Sequence, residues 1–175
     1  DHKLDIWSGL HTILSDDPQF ARRAEAAGAT IHDLRKPPAD LDVARGGVPE
    51  VGDRGMVILT VGTDVTMGKM PTQLQLGDAL KARGRGARVA FAATGQTGIL
   101  VEGWGISVDA VIADFIAGAA ERLVLEAARE ADIVLVEGQG SIIHPSYSGV
   151  TYGLIHGSLP HAMIMCAQPT RSVIN

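Results

Sequence analysis

The sequence predicts an α/β fold in which helices cover both faces of a parallel sheet. Three observations carry that expectation. Four short, mostly apolar runs, 56–61, 87–93, 132–136 and 162–167, have the composition of strands buried on both faces. Segments with helical spacing of apolar residues separate them, at 70–83 and 110–130. Each run ends in a short polar stretch, at 62–69, 94–98, 137–140 and 168–171. In an open parallel sheet, ligands sit beyond the carboxyl ends of the strands, so one crevice is expected to be lined by all four stretches.

Taken in order, Leu4 to Trp7 is a short apolar run. Asp16-Asp17-Pro18 then supplies a helix cap and a first-turn proline, and Gly28 ends that helix. Thr30 to Leu34 reads as a second short strand. Residues 1–36 are read as the remnant of a Rossmann-like N-terminal domain. Residues 37–54, with Pro37-Pro38, Gly46-Gly47, Pro49 and Gly52, are read as a linker. Residues 55–175 form the main domain, expected to be truncated at its C-terminus, so the chain is read as a piece of a longer protein.

The main domain opens with strand 56–61, a turn through Gly62 to Lys69, and a helix. Strand, glycine-bounded loop ending in Gly-Lys, and helix in this order make a phosphate-binding loop, and the domain is read as P-loop NTPase-like. Backbone N–H groups of such a loop converge on an anion, and the lysine adds a full charge. The cradle comprises Gly62, Thr63, Asp64, Thr66, Met67, Gly68, Lys69, Met70 and Thr72. Five residues separate Gly62 from Gly68, one more than the common spacing, and Met70 stands where a magnesium-binding hydroxyl is usual. A thioether is a poor magnesium ligand, so the loop reads as an anion cradle with no metal.

Beyond the loop, Leu74, Leu76, Ala79 and Leu80 are expected to bury one side of the first helix, with Asp109 capping a long helix from Ala110 to about Glu130. Glu137 closes the third strand, where a base or a metal-directed carboxylate fits. Asp64 lies within the loop and orients an amine or water, or bonds loop N–H groups. The stretch from Ser141 to Gly157 reads as a long polar loop offering His144, Tyr147 and His156 as acid–base groups or donors. Gln96 and Thr97 suit a substrate carboxylate or local backbone groups. Arg171 suits a phosphate or a carboxylate.

The totals narrow the class. With 175 residues, 46% apolar, the chain builds one substantial core. A net charge of −5 without a basic cluster argues against nucleic acid or an anionic membrane surface as partner. No run reaches the length of a membrane span. One cysteine, Cys166, makes no internal disulfide and fits a cytoplasmic location. A homo-oligomer acting on a small molecule is expected.

GTDVTMGKM at 62–70, ATGQTGILVEGWGISVD at 93–109, DFIAGAAE at 114–121 and VEGQGSIIHPSYSGVTYGLIHG at 136–157 resemble a family once described only as a domain of unknown function and associated with D-glutamate N-acetyltransferase. SGLHTILSDDP at 8–18 and DLRKPP at 33–38 resemble the end of its Rossmann-like domain. The resemblance implies transfer of acetyl from acetyl-CoA to the amine of D-glutamate or a similar D-amino acid, with the loop holding the pyrophosphate of coenzyme A. It implies a base, Glu137 or His144, with Asp64 a further catalytic candidate, and oxyanion donors from loop N–H groups or Tyr147. Gln96, Thr97, Tyr147, His156 and Arg171 are the substrate-binding candidates. The loop also resembles that of dethiobiotin synthetase, which leaves an ATP-dependent ligase or kinase using Mg-ATP as an alternative. A non-catalytic nucleotide-binding domain is a third reading.

Overall fold

The computed structural model of the protein describes residues 3–48, 55–84 and 86–174. Parts of the expected units at 1–2, 49–54 and 175 lie outside them. Among the described residues, eleven α-helices and β-strands run in the order β1 Ile6–Ser8, α1 Pro18–Ala27, β2 Ile31–Asp33, β3 Met56–Gly62, α2 Lys69–Ala82, β4 Val89–Ala92, α3 Gln96–Glu102, α4 Ile116–Ala127, β5 Ile133–Val136, α5 Ser148–Ser158 and β6 Ala162–Cys166.

The main sheet has the order β4-β5-β3-β6, and every pairing is parallel. Register places Ile58 of β3 beside Leu135 of β5 on one side and Ala162 of β6 on the other. β3, with neighbours on both sides, is apolar because both of its faces are covered. Val57, Leu59 and Val61 pack with Leu123, Val124 and Leu154 from α4 and α5. On the other face Phe91 and Leu135 meet Leu74, Leu76 and Leu80 of α2. Ala79, expected to share that burial, is exposed. Gln73 occupies the sheet-facing side of α2, fully buried, and its Nε2 donates to the carbonyls of Ile58 and Val136 at 2.9 Å each. One amide thereby ties α2 to β3 and β5.

β1 and β2 form a separate two-stranded parallel sheet, with Trp7 beside His32. The preceding helix starts as the sequence predicts. Asp17 accepts from Gln19 N, Pro18 opens α1, and Gly28 closes it at φ 65°.

Two expectations are corrected. The helix foreseen over 110–130 is α4, starting at Ile116, and two short 3-10 turns at 108–110 and 113–115 precede it. Asp109 lies in the first turn and caps nothing; its carboxylate pairs with Arg35. The polar loop at 141–157 folds from Ser148 into α5. The described part of the linker is docked: Glu121 of α4 accepts from the backbone N–H groups of Arg45 and Gly47, and Val48 is buried in the core. No helix among the described residues is long and apolar enough to cross a membrane.

Candidate active site

The loop between β3 and α2 is shaped by its own polar groups. Thr66 and Gly68 take positive φ, 57° and 82°, the left-handed backbone found in loops that form anion-binding nests. At Gly62 a β-carbon would come within 3.0 Å of Asp64 O and Lys69 Nζ, so the chain passes there only without a side chain. Thr63 N donates to Cys166 O at 3.1 Å, anchoring the loop to the end of β6.

Asp64 is 2% exposed. Its carboxylate accepts from Val65 N and from Arg171 Nη1, both at 2.7 Å. Lys69 is also buried, and its Nζ donates to the main-chain oxygen of Asp64 at 3.0 Å. Burial lowers the lysine's pKa, against the opposing pull of Cys166 and Asp64. A buried ammonium with one carbonyl partner has capacity for further acceptors. Thr72 donates its hydroxyl to Gly68 O at 2.8 Å, inside the helix ladder.

Glu137 ends β5 and is 3% exposed. Its Oε2 accepts from Thr94 N at 2.8 Å and Gly95 N at 3.0 Å, while Thr94 Oγ1 donates to its backbone oxygen. Both held contacts use Oε2, so Oε1 is the oxygen left to take a proton. Burial raises the carboxyl's pKa, the two backbone donors oppose, and Asp109 adds to the rise. Gly98 is required beside it, since a β-carbon there would overlap the carboxylate.

Residues 65–71 and 137–140 line one cavity of about 470 Å³. It brings Thr66, Met67, Gly68, Lys69 and Met70 together with Glu137, and adds Gln139. The other expected residues lie outside that lining. His144 Nδ1 accepts from Ser146 N at 3.0 Å, and its ring is 4.6 Å from that of Tyr147. His156 is exposed in the last turn of α5, and Thr97 is exposed on α3. Gln96 accepts from Arg35 Nη1 at 3.3 Å. Arg171 clasps Asp64, and both line a smaller cavity of about 150 Å³ with Thr63.

Gln73 and Arg35 escaped the sequence reading, and Thr94 entered it only as part of the stretch 94–98, with no role of its own. Thr94 and Arg35 each follow a strand, the position that singled out Glu137, so the same rule applied throughout finds them. Gln73 is in helical line with Gly77 and Leu80, a polar residue on a buried face that asks for hydrogen-bond partners.

Residues 43–175 match the P-loop domain of DUF1611, described as a domain of unknown function, and residues 1–37 match the Rossmann-like domain DUF1611_N. Two curated relatives are named D-glutamate N-acetyltransferase. One, from Tritonibacter scottomollicae, is 48% identical over 169 residues, 97% of this chain and 49% of the relative. The other, from a Pseudoalteromonas species, is 41% identical over 163 residues, 93% of this chain and 47% of the relative. A crystal structure of a DUF1611 family protein from Anabaena variabilis, 40% identical, superposes with a TM-score of 0.88 over 99% of this chain and 49% of that one. The chain thus spans about half the length of these relatives. It belongs to the DUF1611 family, whose P-loop domain supplies the cavity between Lys69 and Glu137.

Proposed function

We propose that the protein transfers acetyl from acetyl-CoA to the amino group of D-glutamate, with the loop and Lys69 holding the coenzyme A phosphates. The observation that carries this reading is the sharing of one cavity by an anion cradle and a buried carboxylate with a raised pKa. The cradle suits a pyrophosphate because loop N–H groups and the ammonium face a multiply charged anion. Lys69 then exchanges one carbonyl acceptor for phosphate oxygens. Glu137 suits the proton transfer: an amine attacks only after losing its proton, and a base tuned upward toward neutrality accepts it best. One ammonium proton passes to Glu137 Oε1 before attack; the new N–C bond then forms as the C–S bond breaks, and the second proton, released as the amide forms, leaves with coenzyme A as its thiol.

The donor set supports acyl transfer over the ligase alternative. Met70 follows Lys69, so this loop offers magnesium a thioether where a hydroxyl is usual. The names of the two curated relatives support the same reading.

Thermal shift with acetyl-CoA, CoA and ATP, repeated with Lys69→Ala, tests it. Saturating CoA compounds at about a hundred times their Kd are expected to add about 2.7 kcal/mol. Lys69→Ala is expected to weaken that binding about tenfold or more. Stabilisation by ATP alone, with phosphate release, overturns the reading.

A further inference from the structure

A second polar centre lies where the end of the small sheet meets α3 and the turn at 107–109. Arg35 follows β2, and its side chain is 5% exposed. Nη1 donates to Asp109 Oδ2 at 2.7 Å and to Gln96 Oε1 at 3.3 Å. Nε is buried and has no hydrogen-bond partner. The contacts of this guanidinium with described residues all use Nη1. One side of the planar fork is therefore fixed, while the other side, the Nε and Nη2 edge, is offered to no acceptor. That edge is the one that binds a carboxylate through two parallel N–H···O bonds.

The strand end is held independently, since Ser107 Oγ donates to Leu34 O at 3.0 Å. Asp109 is 36% exposed, so water screens its charge more than that of Arg35. The centre also adjoins the proposed base. Gln96 follows Gly95, whose N–H holds Glu137 Oε2, and Asp109 is near enough to influence the proton affinity of Glu137.

We propose that Arg35 binds a carboxylate of the amino-acid substrate through its Nε and Nη2 edge, fixing the amine toward Glu137. This rests on the acetyltransferase reading above and names the residue that selects an acidic acceptor. A buried guanidinium half satisfied by protein gains its missing acceptors only when the acid is bound.

The test is steady-state kinetics of the protein with D-glutamate and acetyl-CoA, alongside melting temperatures. Arg35→Gln is expected to raise KM for D-glutamate about tenfold or more, the loss of a charge-assisted bidentate contact. KM for acetyl-CoA is expected to stay within about twofold, because that site lies at the loop. Asp109→Asn breaks the same ion pair but keeps the fork. It is expected to lower Tm without raising KM for D-glutamate. Should Arg35→Gln fail to fold, Arg35→Lys, which keeps charge and loses the planar fork, carries the comparison with a smaller rise. An unchanged KM for D-glutamate in the Arg35 variants, or an equal rise in Asp109→Asn, overturns the proposal while the acetyltransferase reading stands. If the protein binds D-glutamate calorimetrically without acetylating it, that reading fails and the same variants are compared by Kd. Neither binding nor turnover overturns both.

Discussion

Glu137 shows how one side chain is given its chemistry by its surroundings. Oε2 is held by two backbone N–H groups, burial raises its pKa, and Asp109 adds to the rise. The acid limb of kcat/KM is therefore expected above the usual glutamate range. Glu137→Gln keeps an oxygen for Thr94 N and Gly95 N while removing the proposed base, so kcat is expected to fall about 10²- to 10⁴-fold with the fold intact. Linkage gives the same residue a second signature. A raised native pKa means that the folded state holds the proton more tightly than the unfolded chain. The associated stability is present below the unfolded pKa and is lost as pH rises through the native one. Glu137→Gln mimics the protonated form. It should therefore melt higher than the parent at neutral pH, with the advantage vanishing in acid below the ordinary glutamate range. Melting curves against pH check this.

At the level of elements, α5 is the instructive case. Its polar side chains made the segment read as loop, and Gly149, Gly153 and Gly157, poor helix formers, give no local helix signal either. The helix forms because two of these glycines face α4. A β-carbon at Gly153 would overlap Ile116, and one at Gly157 would overlap the Ala117 carbonyl. Close packing, with Leu154 fully buried, overrides propensity, and no local pattern records it. The two kinds of glycine should respond oppositely to alanine. Gly157→Ala overpacks the contact and is expected to cost about 1–3 kcal/mol, a fall in Tm of about 5 °C. Gly149 has open space around its β position, and Gly149→Ala is expected to add about 0.5–1 kcal/mol. Differential scanning calorimetry distinguishes the two. The strands and the loop, by contrast, were legible because their signals are local: apolar runs, a glycine turn, and Gly68-Lys69 at a helix start. The start of α4 was not. Val111 and Ile112 continue the apolar spacing, yet their ψ angles of 142° and 137° are extended. The Arg35–Asp109 pair spans 74 residues, and no spacing rule joins such partners.

For the whole molecule, the small sheet is an integral neighbour of the large one. Arg35 reaches Asp109 and Gln96, Ser107 holds the backbone of Leu34, and Gly9 packs on the Gln96 side chain. Removing residues 1–36 leaves Asp109 without its cation and Ser107 without its acceptor. The shortened protein is expected to lose about 2 kcal/mol, roughly 5 °C in Tm, while retaining CoA binding at the loop. Equal thermal shifts with CoA, but no saturable response to D-glutamate, would separate the two halves of the site.

Asp64 gives this arrangement a further reach. Its main-chain oxygen receives the Lys69 ammonium, while its carboxylate is gripped by Arg171, 107 residues along the chain. A single residue thus bridges the loop lysine and the stretch that follows β6, so a substitution that displaces Asp64 loosens both attachments at once.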